Sequence, residues 1–403
     1  MDIEHLIIGG GIAGATAAET IRQHDPRGRI RVIGNEPHPV YSRVLLPHVA
    51  DGRAKENRVV IRTAENLAAK GIEYVTGVSV VSVDAAAKQV AVSDGSSCGY
   101  GKLLIASGGT ARRFDGPGDE YCTYFRTLDD LRVLMSTARV GTALVYGGGF
   151  NAIDLAVSLA RRGARVTCVM RGDGFLAKSL DQRSRVAITE AMERHGVTIM
   201  THRELRSVER KIGGLMAHFS DGGNAAFDLV GVSLGVIPNI GFLAGSGIAT
   251  ASGVVVDEKL RAADGIYAAG DVAEYLDLRA GSHRIAGNWM NAMFQGKIAG
   301  ANMTGADLVF DLVTAYSIAC FELPITFMGG VDVAVDERIV RPHASGGTLQ
   351  LFVKGDRAVA ATCIGPFTDR GAVTKLIADR IVLSEAAKKA AADPRTDLAA
   401  LLS

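Results

Sequence analysis

Two similar glycine-rich turns constrain the fold of this 403-residue chain more than any other feature. The first, GGGIAG at 9–14, follows the apolar run IEHLII and opens a stretch of small and apolar residues with helical spacing. The second, GGGFNA at 147–152, lies between ALVY and IDLAVSLARRG in the same order. Strand, glycine turn and helix in this order are typical of a Rossmann-type βαβ unit. The sequence therefore predicts an α/β protein with two Rossmann-like dinucleotide-binding domains.

The first turn has the spacing that a dinucleotide pyrophosphate requires. Gly9 permits the tight turn, Gly11 lets the backbone approach the pyrophosphate, and Gly14 lets the helix pack closely on the strand. The helix N-terminus presents its partial positive charge to the phosphates. Glu36 ends the second strand, where a carboxylate accepts hydrogen bonds from a ribose diol. We interpret this unit as a dinucleotide site; a structural turn with a surface glutamate is the alternative.

The second turn departs from the first at two positions. Ala152 replaces the third glycine, and its methyl group is expected to hold helix and strand slightly apart, which leaves room for a bulkier, phosphate-bearing ligand. The next strand, RVTCVMR, ends in Arg171, and an arginine pairs with a 2′-phosphate that a carboxylate would repel. The site is therefore predicted to bind NADPH or NADH, with NADPH favoured. A solvated strand-end cation is the alternative role for Arg171.

Two dinucleotide sites in one chain indicate that one dinucleotide reduces another. A resident FAD at the first turn and a visiting nicotinamide dinucleotide at the second fit this interpretation. The reaction is then hydride transfer from nicotinamide to flavin, for which the protein supplies orientation and electrostatics.

The composition restricts the remaining classes of function. The 44 basic and 43 acidic residues give a net charge of +1, which does not support nucleic-acid binding. The five cysteines are scattered, as is typical of reduced thiols in a cytoplasmic protein. The N-terminal MDIEH is acidic and the apolar run after it is short, so we expect neither a signal peptide nor membrane association. No metal-ligand spacing occurs, and no metal site is predicted.

Short segments along the chain give it a specific resemblance to one superfamily. They are GGGIAG with Glu36, LLIASGG at 103–109, GGGFNAID at 147–154, GVIPN at 235–239 and IYAAGD at 266–271. Their order resembles the two-dinucleotide-domain flavoprotein reductases of the pyridine nucleotide–disulfide oxidoreductase superfamily, over residues 1 to about 310. The resemblance implies a discontinuous FAD-binding domain at 1–112 and 243–312, an NAD(P)-binding domain at 113–242 and a C-terminal α+β interface domain at 313–403.

The resemblance also implies which residues contact each cofactor. Asp271 is expected at the ribityl and phosphate region of FAD, residues 107–109 at its diphosphate, and Gly235 near the nicotinamide. The implied FAD residues are Gly9, Gly11, Ile12, Ala13, Gly14, Glu36, Arg43, Val80, Ser107, Gly108, Gly109, Gly270, Asp271 and Trp289. The implied NAD(P) residues are Gly147, Gly149, Phe150, Asn151, Ala152, Arg171 and Gly235.

Two further segments resemble one subgroup, the ferredoxin and rubredoxin reductases. PVYSRVLLPHVADG at 39–52 is similar to their Y-x-R-P-P-L-S-K segment, which implies that Arg43 contacts the FAD phosphates. NWMNAMFQG at 288–296 is similar to their W-x-N-A-x-x-Q-G segment, which implies that Trp289 lies beside the flavin; a core aromatic is the alternative. Members with redox-active cysteines carry them shortly after the Glu36-type strand, but no cysteine precedes Cys98. We therefore expect no thiol chemistry at that position.

The chain departs from this subgroup beside the expected flavin. His48 replaces a lysine and Asp154 replaces its glutamate partner, so we predict a His48–Asp154 pair and a flavin reduction rate that depends on pH near neutrality. Phe150 is implied to gate the nicotinamide pocket, as the aromatic residue at that position does in NADPH-using members. With Trp289 these are the flavin-proximal candidates, and no further catalytic residue is predicted. Cys320 lies near the flavin edge or is a buried structural thiol, and we prefer the buried thiol.

The function implied is electron transfer through FAD. The enzyme is expected to oxidise NAD(P)H and to pass electrons to a ferredoxin, a rubredoxin-type protein or another iron–sulfur acceptor. An NAD(P)H oxidase or quinone reductase is one alternative, and a redox-sensing interaction protein is another; a homodimer is left open. In the C-terminal region the pattern predicts a hairpin at 349–365 and one helix at 372–392.

Overall fold

The chain forms two compact units, each assembled from separate stretches of sequence. The computed structural model describes residues 3–137, 140–343 and 347–402. Unit 1 comprises Met1–Val44, Glu56–Thr110 and Ile237–Leu312, and unit 2 comprises Leu45–Lys55, Ala111–Val236 and Val313–Ser403. The division into FAD, NAD(P) and C-terminal domains stays a prediction.

Both units contain strands and helices. The strands are β1 (Ile3–Ile8), β2 (Ile30–Gly34), β3 (Val40–Tyr41), β4 (Val60–Arg62), β5 (Ile72–Thr76), β6 (Val80–Asp84), β7 (Gln89–Val92), β8 (Ser97–Ile105), β9 (Gly109–Ala111), β10 (Thr142–Tyr146), β11 (Arg165–Val169), β12 (Thr198–Met200), β13 (Leu205–Lys211), β14 (Gly214–Phe219), β15 (Asn224–Phe227), β16 (Leu229–Val232), β17 (Val236–Pro238), β18 (Val254–Val256), β19 (Arg261–Ala263), β20 (Ile266–Ala268), β21 (Ala273–Asp277), β22 (Ser282–Arg284), β23 (Ala315–Cys320), β24 (Leu323–Gly329), β25 (Glu337–Pro342), β26 (Thr348–Lys354) and β27 (Arg357–Ile364). The α-helices are α1 (Ile12–His24), α2 (Leu46–Ala50), α3 (Ala64–Ala68), α4 (Leu128–Ser136), α5 (Phe150–Arg161), α6 (Gln182–Arg194), α7 (Trp289–Met303), α8 (Arg370–Ala378) and α9 (Glu385–Ala392). Short 3-10 helices occupy Arg43–Leu45, Glu56–Arg58, Asp119–Tyr121, Gly241–Leu243 and Leu398–Leu402.

A parallel sheet forms the centre of unit 1. Its strand order is β19-β20-β8-β1-β2-β5, in which β20, β8, β1, β2 and β5 run parallel and β19 closes one edge antiparallel. Strand β1 is central, and apart from the exposed Glu4 its side chains are buried on both faces of the sheet. This arrangement places the turn after β1 at the carboxyl edge of the sheet, where open α/β sheets bind ligands.

Small residues let helices α1 and α7 pack closely against each other. A Cβ atom added at Gly296 would lie 2.2 Å from the carbonyl oxygen of Ala13, and one at Gly300 would lie 2.7 Å from that of Ala17. Both separations are shorter than any ordinary contact, so only glycine fits at these positions. The crossing therefore holds α1, and with it the first glycine turn, against the helix that begins at Trp289.

Unit 2 contains a second parallel sheet and a separate antiparallel one. The parallel sheet has the order β12-β11-β10-β16, and α5 follows its central strand β10. The antiparallel sheet has the order β23-β24-β27-β26-β25 and packs α8 through a buried apolar cluster that includes Leu351, Val373 and Leu376. A smaller sheet, β13-β14-β15, covers a cluster around Phe114 and Tyr146.

The predicted α/β class and both βαβ units are confirmed, and so is the hairpin at 349–365, which forms β26 and β27. The single helix expected at 372–392 is wrong. Arg380 adopts a left-handed φ of 53°, Val382 bridges to Arg357, and Ser384 caps a new helix, so α8 and α9 are separate.

Residues 73–76 lie in β5, which pairs parallel with β2. The apolar alternation in this segment does not reveal strand direction, because direction depends on the partner strand.

Among the described residues, no helix is long and apolar enough to cross a membrane.

Candidate functional site

The first glycine turn is tightly packed except at its middle glycine. Gly9 has a φ of 121°, and a Cβ there would lie 2.0 Å from the carbonyl oxygen of Ala106. A Cβ at Gly14 would lie 2.0 Å from the carbonyl oxygen of Gly9, whereas one at Gly11 would meet nothing within 4 Å. Ala13 is buried beneath the turn, and Ile12 is half-buried. The open space at Gly11 is the place where a pyrophosphate would approach the backbone.

Three of the predicted FAD residues converge beside this turn. The Glu36 carboxylate accepts a 2.6 Å hydrogen bond from the Tyr41 hydroxyl and forms an ion pair with Arg43. Burial acts to lower the pKa of Arg43, but Tyr41, Glu36 and Asp271 together raise that pKa above its ordinary value. The Arg43 guanidinium therefore stays charged among two carboxylates. The sequence predicted Glu36, Arg43 and Asp271 as FAD contacts but not Tyr41, which the structure adds.

The strand end before Asp271 is tied to helix α7. The Gly270 N–H donates a 2.8 Å hydrogen bond to Oε1 of Gln295, whose side chain is 1% exposed. Nε2 of Gln295 is buried and has no partner among the described residues. Helix α7 begins at the half-buried Trp289, and the Asn288 side chain caps it by accepting a 2.8 Å bond from the Asn291 N–H. Because a buried donor without a partner is costly, Gln295 fits a polar group that arrives with a ligand.

Residues 107–109 are held by an asparagine that the sequence predictions omitted. Ser107 Oγ donates to the Asn239 carbonyl at 2.8 Å, and Asn239 Nδ2 donates back to the Ser107 carbonyl at 3.0 Å. The Asn239 N–H also donates to the Gly108 carbonyl, and Gly108 has a left-handed φ of 63°. Asn239 ends the GVIPN segment, so the motif itself was the available signal. Val80 begins β6 and is buried at 9% exposure.

Tyr74 is a second residue that sequence reasoning missed. Its hydroxyl can donate to the His38 carbonyl at 3.2 Å or to the Gly10 carbonyl at 3.4 Å. Burial, with a smaller effect from the Glu36 charge, raises the pKa of Tyr74 to about 12, so the hydroxyl remains a donor. A tyrosine in the middle of strand β5 carries no motif signal, and only the sheet order places it beside the turn.

The second glycine turn repeats the geometry of the first. Gly147 has a φ of 142°, and a Cβ there would lie 2.1 Å from the carbonyl oxygen of Ser233. A Cβ at Gly149 would meet nothing within 4 Å. Ala152 is fully buried and its N–H donates to the Gly149 carbonyl at 3.1 Å, while Asn151 is exposed. This turn too leaves room for a pyrophosphate at its middle glycine.

An ion pair lies just past the end of β11, close in sequence to Arg171. Arg171 itself is exposed, and the acid two residues later, Asp173, pairs with Arg185 at 2.9 Å. The segment after β11 thus carries an acid, Asp173, whose charge Arg185 neutralises. Gly235, predicted near the nicotinamide, has a φ of 95°, and its carbonyl accepts the Arg112 N–H at 2.9 Å.

The structure does not form the predicted His48–Asp154 pair. Helix α2 carries His48 onto α5, where the Arg161 guanidinium pairs at 3.1 Å with Asp51, whose side chain is wholly buried. Among the residues described, no hydrogen bond or ion pair joins His48 to Asp154. Arg161 of α5 therefore pairs with Asp51, the residue that ends α2, and not with His48.

Burial disfavours the charged form of both members of the predicted pair. It lowers the pKa of His48, with a further contribution from Arg53. It raises the pKa of Asp154 to about 7, against the opposing effect of Arg53. A neutral imidazole does not attract a carboxylate strongly, which is why the substitution of histidine for lysine does not preserve an ion pair here.

Phe150 follows the second turn and contacts aromatic side chains of the C-terminal sheet. Its ring centroid lies 4.8 Å from that of Phe327 and 5.9 Å from that of Tyr316, both edge-to-face. Cys320, on β23, is fully buried, and burial raises its pKa to about 12. The preference for Cys320 as a buried thiol is confirmed.

The two open glycine turns define a protein with two dinucleotide-binding sites, and comparison with known proteins identifies its family. Residues 3–296 match the family described as pyridine nucleotide-disulphide oxidoreductase. The chain belongs to this family, as its motifs predicted, and it is an oxidoreductase.

Relatives support the same assignment. The anthranilate 1,2-dioxygenase system ferredoxin--NAD(+) reductase component of Burkholderia cepacia is 30% identical over 383 residues, 93% of each protein. The assimilatory nitrate reductase electron transfer subunit of Bacillus subtilis (strain 168) is 30% identical over 275 residues, 67% of this chain but only 36% of that longer protein. The crystal structure of the ferredoxin reductase for the CYP199A2 system of Rhodopseudomonas palustris has a TM-score of 0.91 and 24% identity over 100% of both chains, which establishes the shared fold.

Proposed function

We propose that this chain is an FAD-dependent NADH oxidoreductase that passes electrons to a small iron–sulfur protein of the ferredoxin or rubredoxin type. The observation that carries the proposal is the pair of glycine turns, each of which is packed against backbone at its first glycine and open at its middle glycine. The relatives that cover most of the chain support the acceptor, since the Burkholderia cepacia protein is a ferredoxin reductase component.

The residues of unit 1 fit FAD. Gly11 would admit the pyrophosphate, Arg43 would bind its phosphates, and Glu36 would accept from the ribose, with the Gln295 amide available as a further donor. A bound FAD would supply hydride acceptance from the nicotinamide and one-electron release to the carrier. The task of the chain is to hold and orient this group and to keep Arg43 charged beside it.

The choice between NADH and NADPH rests on the end of β11. The sequence favoured NADPH because of Arg171, but the name of the Burkholderia cepacia relative specifies NAD(+) and lends that preference no support. In the structure, the nearby acid Asp173 forms an ion pair with Arg185. We propose NADH as the physiological donor and treat use of NADPH as an outcome to be measured.

The five unpaired cysteines support a cytoplasmic location.

Anaerobic stopped-flow reduction of the purified holoprotein tests the proposal. We expect the oxidised-flavin absorption to bleach faster with NADH than with NADPH, and the reduced protein to reduce a [2Fe–2S] ferredoxin far faster than it reduces oxygen. A protein without a flavin band, or one that neither donor reduces, contradicts the proposed function. Rapid oxidation by oxygen or a quinone, unaffected by any carrier protein, identifies the oxidase or quinone reductase instead.

Two matched variants separate the sites. Gly11→Val and Gly149→Val each fill the open space at one middle glycine, where the backbone is extended and tolerates a side chain. We expect Gly11→Val to lose FAD, and Gly149→Val to keep FAD but to lose reduction by NADH. Equal loss of FAD in both variants contradicts the assignment of one cofactor to each turn.

A further inference from the structure

Three aromatic rings form a compact cluster at the start of α5. Phe150 lies edge-to-face against Phe327, at 4.8 Å and 78°, and against Tyr316, at 5.9 Å and 61°. Tyr316 and Phe327 stack on each other at 5.3 Å with an angle of 18°. Edge-to-face and offset-stacked rings at these separations attract each other beyond the effect of burial alone.

The sheet fixes the two supporting rings. Tyr316 and Phe327 are directly opposite in the β23–β24 register, so their side chains emerge on the same face. Strand β24 is bonded on its other side to β27, where Phe327 lies opposite Thr362. Phe327 is wholly buried, whereas Phe150 and Tyr316 are half-buried. Strand pairings on both sides therefore hold the backbone of Phe327, and burial restricts its ring.

A ring that swings aside to admit a ligand needs a weakly held resting position. Phe150 is held more firmly than that: its ring would lose two favourable ring contacts on moving, and its nearest partner, Phe327, lies on β24, an inner strand paired on both sides. The geometry therefore disfavours a mobile gate at this position.

We infer that Phe150 is a fixed wall of the nicotinamide site, and that Phe327 and Tyr316 are the positioning residues that pin it. The inference rests on the proposed function, because it takes the second glycine turn as the nicotinamide dinucleotide site. It assigns to the C-terminal sheet a part in nicotinamide binding that the interface role expected for residues 313–403 did not include.

Binding measurements on the oxidised holoprotein test the inference without turnover. Two ligands are titrated calorimetrically: the tetrahydro form of NADH, which has a reduced ring but cannot donate a hydride, and ADP-ribose, which has no nicotinamide. Phe327→Leu is expected to raise the Kd of the first about three- to tenfold, the value of one or two aromatic contacts, and to leave the Kd of ADP-ribose unchanged. Tyr316→Leu should give a smaller shift in the same direction, and Tyr316→Phe none.

Each other outcome has a definite meaning. A tighter Kd for the tetrahydro ligand in Phe327→Leu shows that Phe150 is a gate held closed, and an unchanged Kd shows that the cluster plays no part; either result overturns the inference. Phe367→Leu is the matched control, since it removes a half-buried ring that packs edge-on to His343 in the same region.

General damage and failure of the proposed function are both distinguishable. Damage would weaken ADP-ribose binding as well and lower the thermal midpoint; if Phe327→Leu does so, the half-buried Tyr316→Leu decides the question. If the wild-type protein lacks FAD or binds neither ligand, the proposed function has failed and not the assignment of the wall.

Discussion

Oε1 of Gln295 accepts a hydrogen bond of 2.8 Å from the backbone N–H of Gly270. This bond joins helix α7 to the strand end that precedes Asp271, and both partners are buried. Gln295→Leu leaves that N–H without an acceptor, at a cost of about 1–3 kcal/mol, and also removes the amide donor available to FAD. We expect the Kd of FAD to rise about tenfold, measured by equilibrium titration of the apoprotein.

Lys297→Met is the control for that measurement, because Lys297 lies on the same helix but is exposed. It should leave FAD affinity within about twofold of wild type, as surface substitutions usually do. An unchanged Kd of FAD in Gln295→Leu would show that Gln295 does not contribute to FAD binding.

The close crossing of α1 and α7 predicts a large effect on stability. Gly296→Ala places a methyl group where only 2.2 Å separates it from the Ala13 carbonyl oxygen, so the helices must move apart. We expect the free energy of unfolding to fall by about 1–3 kcal/mol in urea denaturation. Gly371→Ala, in α8 with nothing within 4 Å of the added Cβ, should be neutral or slightly stabilising. Equal effects from the two substitutions would contradict the close crossing.

Arg171 offers a direct test of donor choice. If it binds a 2′-phosphate, Arg171→Gln raises the KM for NADPH about tenfold or more, the value of a charged hydrogen bond, and leaves the KM for NADH unchanged. If Arg171 contacts no 2′-phosphate, neither KM changes, and the exposed side chain is a solvated cation. A change in KM for NADH alone would show that Arg171 contacts a part of the dinucleotide that both donors share.

Asp154 predicts a loss of stability as the pH rises. Its pKa is raised in the folded protein from 3.8 to about 7, so the fold favours the neutral acid, and stability declines between about pH 4 and pH 7 as the unfolded state gives up its proton first. Asp154→Asn cannot ionise. Its free energy of unfolding, relative to wild type, should therefore increase over that interval and then stay level. A difference that does not vary with pH would show that Asp154 titrates normally.

His48 predicts the opposite dependence. Its pKa is lowered from 6.5, so the fold favours the neutral imidazole, and stability is lost as the pH falls through 6.5. His48→Gln should gain relative to wild type only on the acid side, in urea denaturation over the same pH series. If the flavin reduction rate depends on pH near neutrality, Asp154→Asn should flatten the profile and His48→Gln should not.

Cys320 is predicted to take no part in the reaction. Its side chain is wholly buried and its pKa is about 12, so iodoacetamide at neutral pH should label it only after denaturation, as judged by mass spectrometry. Cys320→Ala should keep the wild-type rate of flavin reduction. Rapid labelling of the native protein would show that the thiol is accessible, which would contradict the prediction that it takes no part in the reaction.

The sequence by itself determined the two glycine turns, the order of elements around them and the residues that a dinucleotide needs, because these depend on short-range steric rules. Gly9 and Gly147 have backbone angles that other residues rarely adopt, and Glu36 lies two residues after its strand, so local spacing was sufficient. The class of protein followed from the same motifs.

Only the tertiary structure decided which distant side chains complete the sites. Tyr74 lies in a strand without a motif of its own, and it reaches the Gly10 carbonyl because the sheet order brings it there. Gln295 lies within the NWMNAMFQG segment, but only the fold shows that it bonds the Gly270 N–H. The expected His48–Asp154 pair was not formed because burial, which no motif records, favours the neutral form of each side chain. The contacts of Phe150 with Phe327 likewise depend on strand register far along the chain. Burial and long-range packing are properties of the whole fold, and for that reason these features lay beyond the reach of local sequence patterns.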